Sequence, residues 1–317
     1  MTTVASIPDH HGRGCTARPA VSFVIRARNA EADLRMLLPI LRGQSYPADL
    51  IEIVVVDNAS TDGTAEVARS AGAILVPISD AEWSWGRALN RGIAASRGEL
   101  IAVLSADAHP VDGNWIEGIV RPFADPRVAG VYGRQIPRDD APLEEWVRVR
   151  KTFPAEAREW AAVGTDGSAP KDLVASNSCA VMRREVLQRI PIREDVAAEE
   201  WPWVQSVLGA GLVVRYVDSP RVHHSHREPI ARTAVRLYDL HMRGVRGHQT
   251  TLGFTEIVRA GLHVARRRLT AACVPGAGAI RRLAGFVRLP YDMSVVMAIG
   301  FRIACGMSLE EARRRWW

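Results

Sequence analysis

Residues 51–63 read IEIVVVDNASTDG, an apolar run that ends in a cluster of small polar and acidic residues. A short run rich in β-branched residues and closed by turn-forming residues is typical of a strand that is buried on both faces. Such strands belong mainly to parallel sheets that are covered by helices. Because open parallel sheets bind ligands beyond the carboxyl ends of their strands, the polar cluster is a candidate binding site.

Strand-like and helix-like segments alternate on both sides of this stretch. The run 21–27 (VSFVIRA) precedes a segment with leucines at helical spacing, and a second helical segment separates the runs 73–78 and 99–104. This alternation predicts an α/β fold with a mostly parallel central sheet and helices on both faces. The other predicted elements are strands at 128–136, 179–182 and 212–217 and helices at 31–42, 64–70, 86–96, 143–151 and 199–208.

The chain divides into three regions by composition. Residues 1–19 are polar and contain no apolar run, so we expect a flexible arm without a signal peptide. Residues 20–228 carry the α/β pattern, and within them residues 137–170 are predicted to be a flexible excursion. Residues 229–317 are predicted to form a C-terminal helical extension. Its helices are expected at 231–243, 255–269, 279–287 and 295–305.

Positive charge is concentrated in the C-terminal region. The whole chain has a net charge of +6, whereas residues 227–317 contain 16 arginines and six acids, a net +10. Residues 1–226 therefore carry about −4. Arginine interspersed with Leu, Val, Phe and Trp is typical of helices that bind an anionic membrane surface. The alternatives are a solvated helix and a homodimer contact.

The sequence also bears on location. With 47% hydrophobic and 24% charged residues, the composition is that of a folded globular protein. The four cysteines are scattered without a CxxC pair, which favours a reducing compartment over a disulfide framework or a zinc site. Residues 293–306 are apolar but too short to span a bilayer and contain Arg302. We expect a cytoplasmic protein, either free or peripheral on the inner face of the membrane.

Two acids follow predicted strands at the same edge of the sheet, Asp57 and Asp107. A carboxylate in such a place can accept hydrogen bonds from a base or ribose, or hold a divalent cation that bridges phosphates. Each acid alone is typical of a turn or a helix cap, but two at one edge favour a ligand role. The phosphate-binding pattern GxxxxGK[ST] does not occur, so a metal is the expected means of neutralising phosphates.

Taken together, these segments resemble family 2 glycosyltransferases of the GT-A fold, and in particular their rhamnosyltransferase-like branch. The resemblance is carried by residues 21–29, 53–64, 85–92 (WGRALNRG) and 104–110 (LSADAHP), and it extends over about residues 21–226. It implies an inverting glycosyltransferase that moves a sugar from a nucleoside-diphosphate donor to a hydroxyl group. The branch implies L-rhamnose from dTDP-L-rhamnose, and the acceptor is a glycan, a lipid-linked molecule or a small molecule.

The resemblance also implies roles for residues on the donor side. Asp57 would bind the nucleobase edge, with Arg28 close to the nucleotide. Asp107 stands at the last acid of the family's DxD metal motif, whose first position is Ser105 here. The implied cofactor is a divalent metal, Mg²⁺ or Mn²⁺, held by Asp107 with His224, favoured over His226, from a closing HHSH stretch. The implied nucleotide-sugar site comprises Arg28, Asn29, Asp57, Asn58, Asp62, Arg87, Asn90, Ser105, Ala106 and Asp107.

On the acceptor side, Glu199 and Glu200 stand where the family has its ED motif. The family's catalytic base maps to Glu200, and Glu199 stays open as the alternative because the motif has Asp where this chain has Glu. Without the resemblance, two acids in the first turn of a helix are also explained by the helix dipole. The implied acceptor-side residues are Asn177, Ser178, Trp201 and Trp203.

Two other classes of protein stay open at this point. A sugar-1-phosphate nucleotidylyltransferase would share the sheet, but it should carry a Gly-rich loop after the first strand, and residues 26–29 (RARN) contain no glycine. A non-catalytic adaptor for membranes or nucleic acid would explain the basic tail but not the aligned acids. We therefore expect a nucleotide-sugar donor as partner and no nucleic acid.

Overall fold

The computed structural model describes residues 18–196, 198–226, 254–272 and 279–305, together with residues 231, 234, 235, 238, 307 and 311. Nine strands within these ranges form a single sheet. They are β1 (Val21–Ala27), β2 (Ile51–Asn58), β3 (Ile74–Ile78), β4 (Leu100–Ser105), β5 (His109–Pro110), β6 (Val128–Ile136), β7 (Arg158–Trp160), β8 (Cys179–Arg183) and β9 (Val213–His223).

The helices lie between and after the strands, as the alternating pattern predicts. The helices are α1 (Glu31–Arg42), α2 (Thr64–Ser70), α3 (Trp85–Ala95), α4 (Trp115–Val120), α5 (Leu143–Thr152), α6 (Arg184–Arg189), α7 (Glu200–Gly209), α8 (Phe254–Ala272) and α9 (Ala279–Ala304).

The strand order is β3-β2-β1-β4-β8-β6-β9-β5, with β7 paired to β9. The first four strands are parallel, which confirms the α/β prediction for this half of the sheet. Beyond β4 the direction alternates, because β8 runs antiparallel to β4 and β6 antiparallel to β8, while β9 is parallel to β6. The sheet is therefore mixed, and its parallel half carries the predicted nucleotide side.

Helices cover both faces of the sheet because successive strand side chains point to opposite sides. In β1, Phe23 and Ile25 belong to one apolar cluster, together with Leu34 of α1, whereas Val24 belongs to a second cluster. The second face is covered closely by α3, where a methyl group at Gly92 would lie 2.3 Å from Val24 Cγ1. This close approach sets α3 directly against the centre of the sheet.

The prediction of a flexible excursion at 137–170 was wrong. This segment contains α5 and β7, and β7 pairs antiparallel to β9. Val149, Phe153 and Trp160 are buried in the second apolar cluster, and Trp160 Nε1 donates to Asp172 Oδ1 at 3.1 Å. The few apolar residues of the segment are diluted by charged ones, so its burial depends on tertiary contacts that the local pattern does not show.

In the C-terminal region, α8 confirms the predicted helix 255–269, whereas the separate helices predicted at 279–287 and 295–305 are one helix, α9, with Pro290 inside it. Ser294 Oγ donates to the Pro290 carbonyl at 2.9 Å. A third apolar cluster joins the two helices. It contains Ile257 and Val264 of α8 and Val296, Ile299 and Ile303 of α9, so the part of α9 that follows Pro290 packs against α8.

Most of the predicted arm and most of the predicted helix 231–243 lie outside the described residues. Within the described ranges, no helix combines the length and the apolar character needed to cross a bilayer.

Candidate active site

The ends of β2, β1 and β4 lie side by side and bring the predicted site residues to one edge. Asp57 is in register with Ala27, and Ser105 is in register with Arg26 on the other side of β1. Asp57 is only 8% exposed, and its Oδ1 accepts a hydrogen bond from the Ser60 backbone at 3.4 Å. The sheet therefore places Asp57 and the segment that follows Ser105 on either side of the first strand.

On the nucleotide side, Arg28 forms an ion pair with Asp80, with 3.2 Å between Nη2 and Oδ2. With its amide nitrogen facing Asp80, Asn58 donates to Asp80 Oδ1 at 3.2 Å and accepts from Arg28 Nη1 at 3.1 Å. Asp80 follows β3 and was not predicted as a site residue. These three side chains form a polar group beside Asp57, and about half of the Arg28 and Asp80 side chains is exposed to solvent.

Asn29 and Asp62 hold the loops that carry the site. Asn29 Oδ1 accepts from the Thr61 backbone at 2.8 Å, which joins the loops after β1 and β2. Asp62 accepts from the backbone of Thr64 at 3.0 Å and from the backbone of Glu31 at 3.2 Å, at the starts of α2 and α1. Both side chains are thus engaged in shaping the loops, as expected for residues that favour turns and caps.

Arg87 and Asn90 of α3 both bind the carboxylate of Glu194. Arg87 Nε donates to Oε2 at 2.9 Å, and Asn90 Nδ2 donates to Oε1 at 3.0 Å. Asn90 also donates to the Ile192 carbonyl at 2.8 Å. These bonds lower the pKa of Glu194, so the carboxylate stays ionised. The two predicted nucleotide-sugar residues therefore tie α3 to the loop that leads into the acidic pair at the start of α7.

Asp107, His224 and His226 come together as a candidate metal centre. Their ligand atoms all lie within 4.8 Å of one another. Asp107 Oδ1 is 3.5 Å from His224 Nε2, and Oδ2 is 3.5 Å from His226 Nδ1. Burial acts to raise the pKa of Asp107, but the nearby imidazoles of His224 and His226 outweigh it and hold that pKa well below its usual range. One carboxylate and two imidazoles form a donor set that suits a divalent transition metal.

The surroundings of His224 support this fit. The ring is 5% exposed, and its Nδ1 is 2.7 Å from Gln135 Oε1 on β6. Its Nε2 is buried without a hydrogen-bond partner among the described residues. Buried nitrogens without partners are uncommon in folded proteins, and this one faces a carboxylate. A cation shared with Asp107 would satisfy it, so the residues present fit a metal ion.

Arg138 holds the backbone of the candidate metal centre from the other side. Its Nη2 donates to the Asp107 carbonyl at 2.6 Å and lies 3.8 Å from Asp33 Oδ1. Burial and the charge of Asp107 raise the pKa of Asp33. The Arg138 guanidinium therefore lies beside the candidate metal centre and fixes the loop on which Asp107 stands.

The acidic pair lies at the start of α7, and its two carboxylates have different environments. Glu199 is buried, and its Oε1 accepts from Arg26 Nη1 at 2.7 Å and from Asn177 Nδ2 at 3.1 Å. The Arg26 guanidinium also lies over the Trp85 ring, 4.8 Å from its centroid. One oxygen of Glu199 is thus bound from two sides, by the end of β1 and by the loop that precedes β8.

Glu200 is the first residue of α7 and is partly exposed to solvent. Burial and the charge of Glu199 raise the pKa of Glu200 to about 8, against a smaller lowering effect of Arg26. The buried hydroxyl of Tyr132 has a pKa raised by burial and by both glutamates. A carboxyl group with such a pKa is a strong proton acceptor once it is ionised.

Of the other predicted acceptor-side residues, Ser178 and Asn177 connect the candidate metal centre with the acidic pair, and the two tryptophans pack against the core. Ser178 accepts a hydrogen bond from Ser105 Oγ at 2.9 Å, next to Asn177, which binds Glu199. Trp203 is 2% exposed, and its Nε1 donates to the Ile190 carbonyl at 2.9 Å, so it lies in the core. Trp201 is partly buried against the second apolar cluster, and Ala106 is 7% exposed.

Among the residues that the structure describes, three other than glycine have positive φ angles, and all three stand in these loops. They are Asn29 at 48°, Ala59 at 46° and Ala198 at 56°. Such a conformation costs about 1–3 kcal/mol for a side-chain-bearing residue and tends to cluster at functional sites. Ala198 directly precedes the acidic pair, so the strained turn aims Glu199 and Glu200.

Several contributing residues escaped the sequence analysis. Arg26, Gln135 and Arg138 all contact predicted site residues, and Asp80 binds Arg28. A polar residue in an otherwise apolar strand was the available signal for Arg26 and Gln135, because such a residue needs a buried partner. Arg138 and Asp80 stand in loops, where a charged residue carries no such signal.

Comparison with known proteins identifies the class and then the family. The architecture is that of the GT-A fold, because a mannosyltransferase from Pyrobaculum calidifontis, solved with GDP-Man and Mn²⁺, superposes with a TM-score of 0.52 at 21% identity. That match covers 95% of this chain and 79% of the other. The sequence model described as Glycosyl transferase family 2 matches residues 22–191. The chain belongs to this family.

Two curated relatives are O-antigen chain rhamnosyltransferases. WbaN of Salmonella anatum is 28% identical over 192 residues, which are 59% of this chain and 61% of the relative. RfbN of Salmonella typhimurium is 26% identical over 211 residues, which are 65% and 66% of the two chains. The chain thus spans less than two thirds of either relative. TarS 1-349 of S. aureus, solved with UDP, has a TM-score of 0.50 at 16% identity and covers 93% of this chain and 91% of its own.

Proposed function

We propose that this protein is an inverting, metal-dependent glycosyltransferase that transfers L-rhamnose from dTDP-L-rhamnose to a hydroxyl group. The acceptor is a glycan, a lipid-linked molecule or a small molecule. The observation that carries the proposal is the convergence of Asp107, His224 and His226 on one edge of the sheet. A chain of contacts through Ser105, Ser178 and Asn177 leads from there to the acidic pair.

The donor class is supported by the relatives and by two side chains at the edge of the sheet, Asp57 and Arg28. The curated relatives are named rhamnosyltransferases, and the two structural neighbours were solved with GDP-Man and with UDP. In this chain, Asp57 at the end of β2 offers a carboxylate to the base or ribose, and Arg28 offers a guanidinium to the nucleotide. Arg28 forms an ion pair with Asp80, and both side chains are about half exposed to solvent.

Asp107, His224 and His226 are the residues that would hold Mg²⁺ or Mn²⁺. A divalent cation at this position supplies a positive charge that offsets the negative charge developing on the diphosphate leaving group. Arg138 anchors the Asp107 backbone, and Gln135 contacts His224, so the ligands stand on a fixed frame. Ser105 stands at the first position of the DxD motif. It donates a hydrogen bond to Ser178 and contributes no carboxylate.

Glu200 is the proposed catalytic base, which takes the proton from the attacking acceptor hydroxyl. Glu199 is bound by Arg26 and Asn177, and its charge helps to raise the pKa of its neighbour Glu200. A base whose pKa is near the working pH combines availability with proton affinity. Direct attack of the acceptor opposite the leaving group inverts the anomeric centre and needs no covalent intermediate. Glu199 as the base is the alternative within the same mechanism.

The C-terminal helices are proposed to hold the protein at the inner face of a membrane, with homodimerisation as the alternative role. Leu262 and Leu269 of α8 are 57% and 43% exposed, and Arg266 between them is exposed as well. These residues are three or four positions apart, so they share one face of the helix. An exposed face with leucine and arginine together fits an anionic lipid surface.

The full chain, incubated with a panel of nucleotide sugars, Mn²⁺ and a lipid-linked or oligosaccharide acceptor, tests the proposal. We expect dTDP to be released from dTDP-L-rhamnose with a new glycosidic bond of inverted configuration, and EDTA to abolish the reaction. Turnover of another nucleotide sugar would change the donor but not the reaction. Pyrophosphate release from a nucleoside triphosphate and a sugar phosphate would instead identify a nucleotidylyltransferase, and no turnover with any donor would favour an adaptor.

A further inference from the structure

Gln135 and His224 form a buried contact that the proposed reaction does not by itself require. Gln135 is 2% exposed and His224 5%, and 2.7 Å separates Gln135 Oε1 from His224 Nδ1. An amide oxygen only accepts hydrogen bonds, so this contact is a hydrogen bond only in the tautomer that carries hydrogen on Nδ1. In a neutral imidazole the other nitrogen, Nε2, then presents a lone pair.

This lone pair faces another acceptor. His224 Nε2 is 3.5 Å from Asp107 Oδ1, and it has no hydrogen-bond partner among the described residues. A buried lone pair and a carboxylate that face each other repel unless a positive charge lies between them. The same nitrogen is the atom that would bind a metal ion together with Asp107 and His226. The hydrogen bond at Nδ1 therefore decides whether Nε2 can bind a metal ion.

The backbone fixes this arrangement independently of the side chains. Strands β6 and β9 are parallel, with Gln135 in register with Val222 and Ile136 with His223. The His224 backbone then donates to the Ile136 carbonyl at 3.0 Å. The strand pairing thus places Gln135 and His224 next to each other.

We propose that Gln135 is a positioning residue that holds His224 in the tautomer with hydrogen on Nδ1, so that Nε2 is free to bind the divalent metal. This inference rests on the metal site of the proposed function and adds a residue that acts through a ligand. Outer contacts of this kind orient ligand histidines in metalloproteins, and their loss typically lowers metal affinity by about 10–100-fold.

The test uses the full chain without donor, with Mn²⁺ alone as the probe. Gln135→Met has a similar size but no acceptor, and we expect its Mn²⁺ affinity in calorimetry to fall about 10–100-fold. Gln135→Glu keeps the acceptor oxygen and should stay within a few-fold of the parent. Gln205→Met replaces an exposed glutamine on α7 that bonds to the Gly167 carbonyl, and as a matched control it should leave Mn²⁺ binding unchanged.

The tautomer is measured directly by nitrogen NMR of the parent protein labelled with ¹⁵N-histidine, which needs no variant. We expect His224 to show a protonated Nδ1 and an unprotonated Nε2. A hydrogen on Nε2 in the parent, or parent-like Mn²⁺ affinity in a folded Gln135→Met protein, would overturn the proposal. Loss of sugar transfer with the tautomer and metal binding intact would count against the proposed function and not against this role of Gln135.

Discussion

Arg26 and Glu199 are 173 positions apart in the chain and form an ion pair, with 2.7 Å between Nη1 and Oε1. Their side chains are 9% and 5% exposed. Removing one partner of a buried pair leaves the other charge uncompensated, at a cost of about 3–5 kcal/mol. The pair therefore locks the start of α7 to the end of β1, which places the proposed base relative to the donor edge.

We expect Glu200→Gln to lower the rate of sugar transfer by about 10²–10⁴-fold, because the amide has nearly the same volume but cannot accept the proton of the acceptor hydroxyl. Donor affinity, measured by calorimetry, should stay within a few-fold of the parent. Steady-state kinetics with saturating donor give the rate.

Glu199→Gln is the comparison for that experiment. It removes a buried charge that Arg26 and Asn177 both bind, so we expect lower thermal stability as well as lower activity. If Glu199→Gln instead folds normally and alone abolishes transfer, the base is Glu199. Normal rates in both variants would rule out general-base catalysis from this helix.

The pH dependence of catalysis should report Glu200. Burial and the charge of Glu199 raise its pKa to about 8, and a base works only in its ionised form. We expect kcat/KM in the parent to rise with pH until about 8 and then to level off. Arg26→Met removes the charge that lowers this pKa, so the rise should move to higher pH. A profile that is flat between pH 6 and 9 would contradict the assignment.

Measurements of donor affinity should distinguish the role of Asp107 from that of Asp57. In calorimetry with dTDP-L-rhamnose, Asp107→Ala should lose the part of the affinity that depends on Mn²⁺, because it removes the carboxylate of the candidate metal centre. Asp57→Ala should weaken binding about equally with and without Mn²⁺, because its proposed partner is the nucleobase. Parent-like donor affinity in both variants would show that the pocket lies elsewhere.

Membrane attachment is expected to depend on the arginines of α8. Reversing the charge with Arg266→Glu, Arg267→Glu and Arg268→Glu together should reduce co-sedimentation with anionic vesicles, and high salt should do the same to the parent. Arg69→Glu, which reverses a single exposed charge at the end of α2, serves as a control for charge reversal away from α8. Unchanged sedimentation of the α8 variant, with the control also unchanged, would point to packing or dimerisation instead.

The close contact of α3 with the sheet gives a prediction about stability. A methyl group at Gly92 would lie 2.3 Å from Val24 Cγ1 and 2.9 Å from Val56 Cγ2. We therefore expect Gly92→Ala to lower the free energy of unfolding by about 1–3 kcal/mol in urea titrations. Gly209→Ala at the end of α7 meets no atom within 4 Å and should be neutral or slightly stabilising. Equal stabilities would mean that α3 shifts without cost.

The first half of the fold could be predicted because its signals are local. Each of β1 to β4 is a short apolar run closed by turn residues, and α1 to α3 show helical spacing between them. The strand directions beyond β4 depend on which distant strands pair, and no local period encodes that. Helix α5 was predicted at 143–151, but its burial and the strand β7 were missed for the same reason, because both depend on contacts with other elements.

The candidate site was predictable in its residue types and not in its internal partners. Asp107, His224 and His226 do converge, as the family resemblance implies. Asn29 and Asp62 were predicted for the nucleotide site, and the structure shows them holding loops together. The contacts of Arg26 with Glu199 and of Gln135 with His224 join residues 173 and 89 positions apart. Only the folded chain shows such side-chain pairs.

Glu145 of α5 accepts a hydrogen bond from the His226 backbone at 3.2 Å, and α5 packs against α8 of the basic tail. Helix α5 therefore connects the C-terminal region with His226, one of the residues of the candidate metal centre. Cutting the chain after residue 230 would strip α5 of its neighbour, so a shortened protein with poor activity would say little about lipids. Domain exchange between relatives meets the same obstacle, because a foreign tail would have to match α5 before it could serve as an anchor.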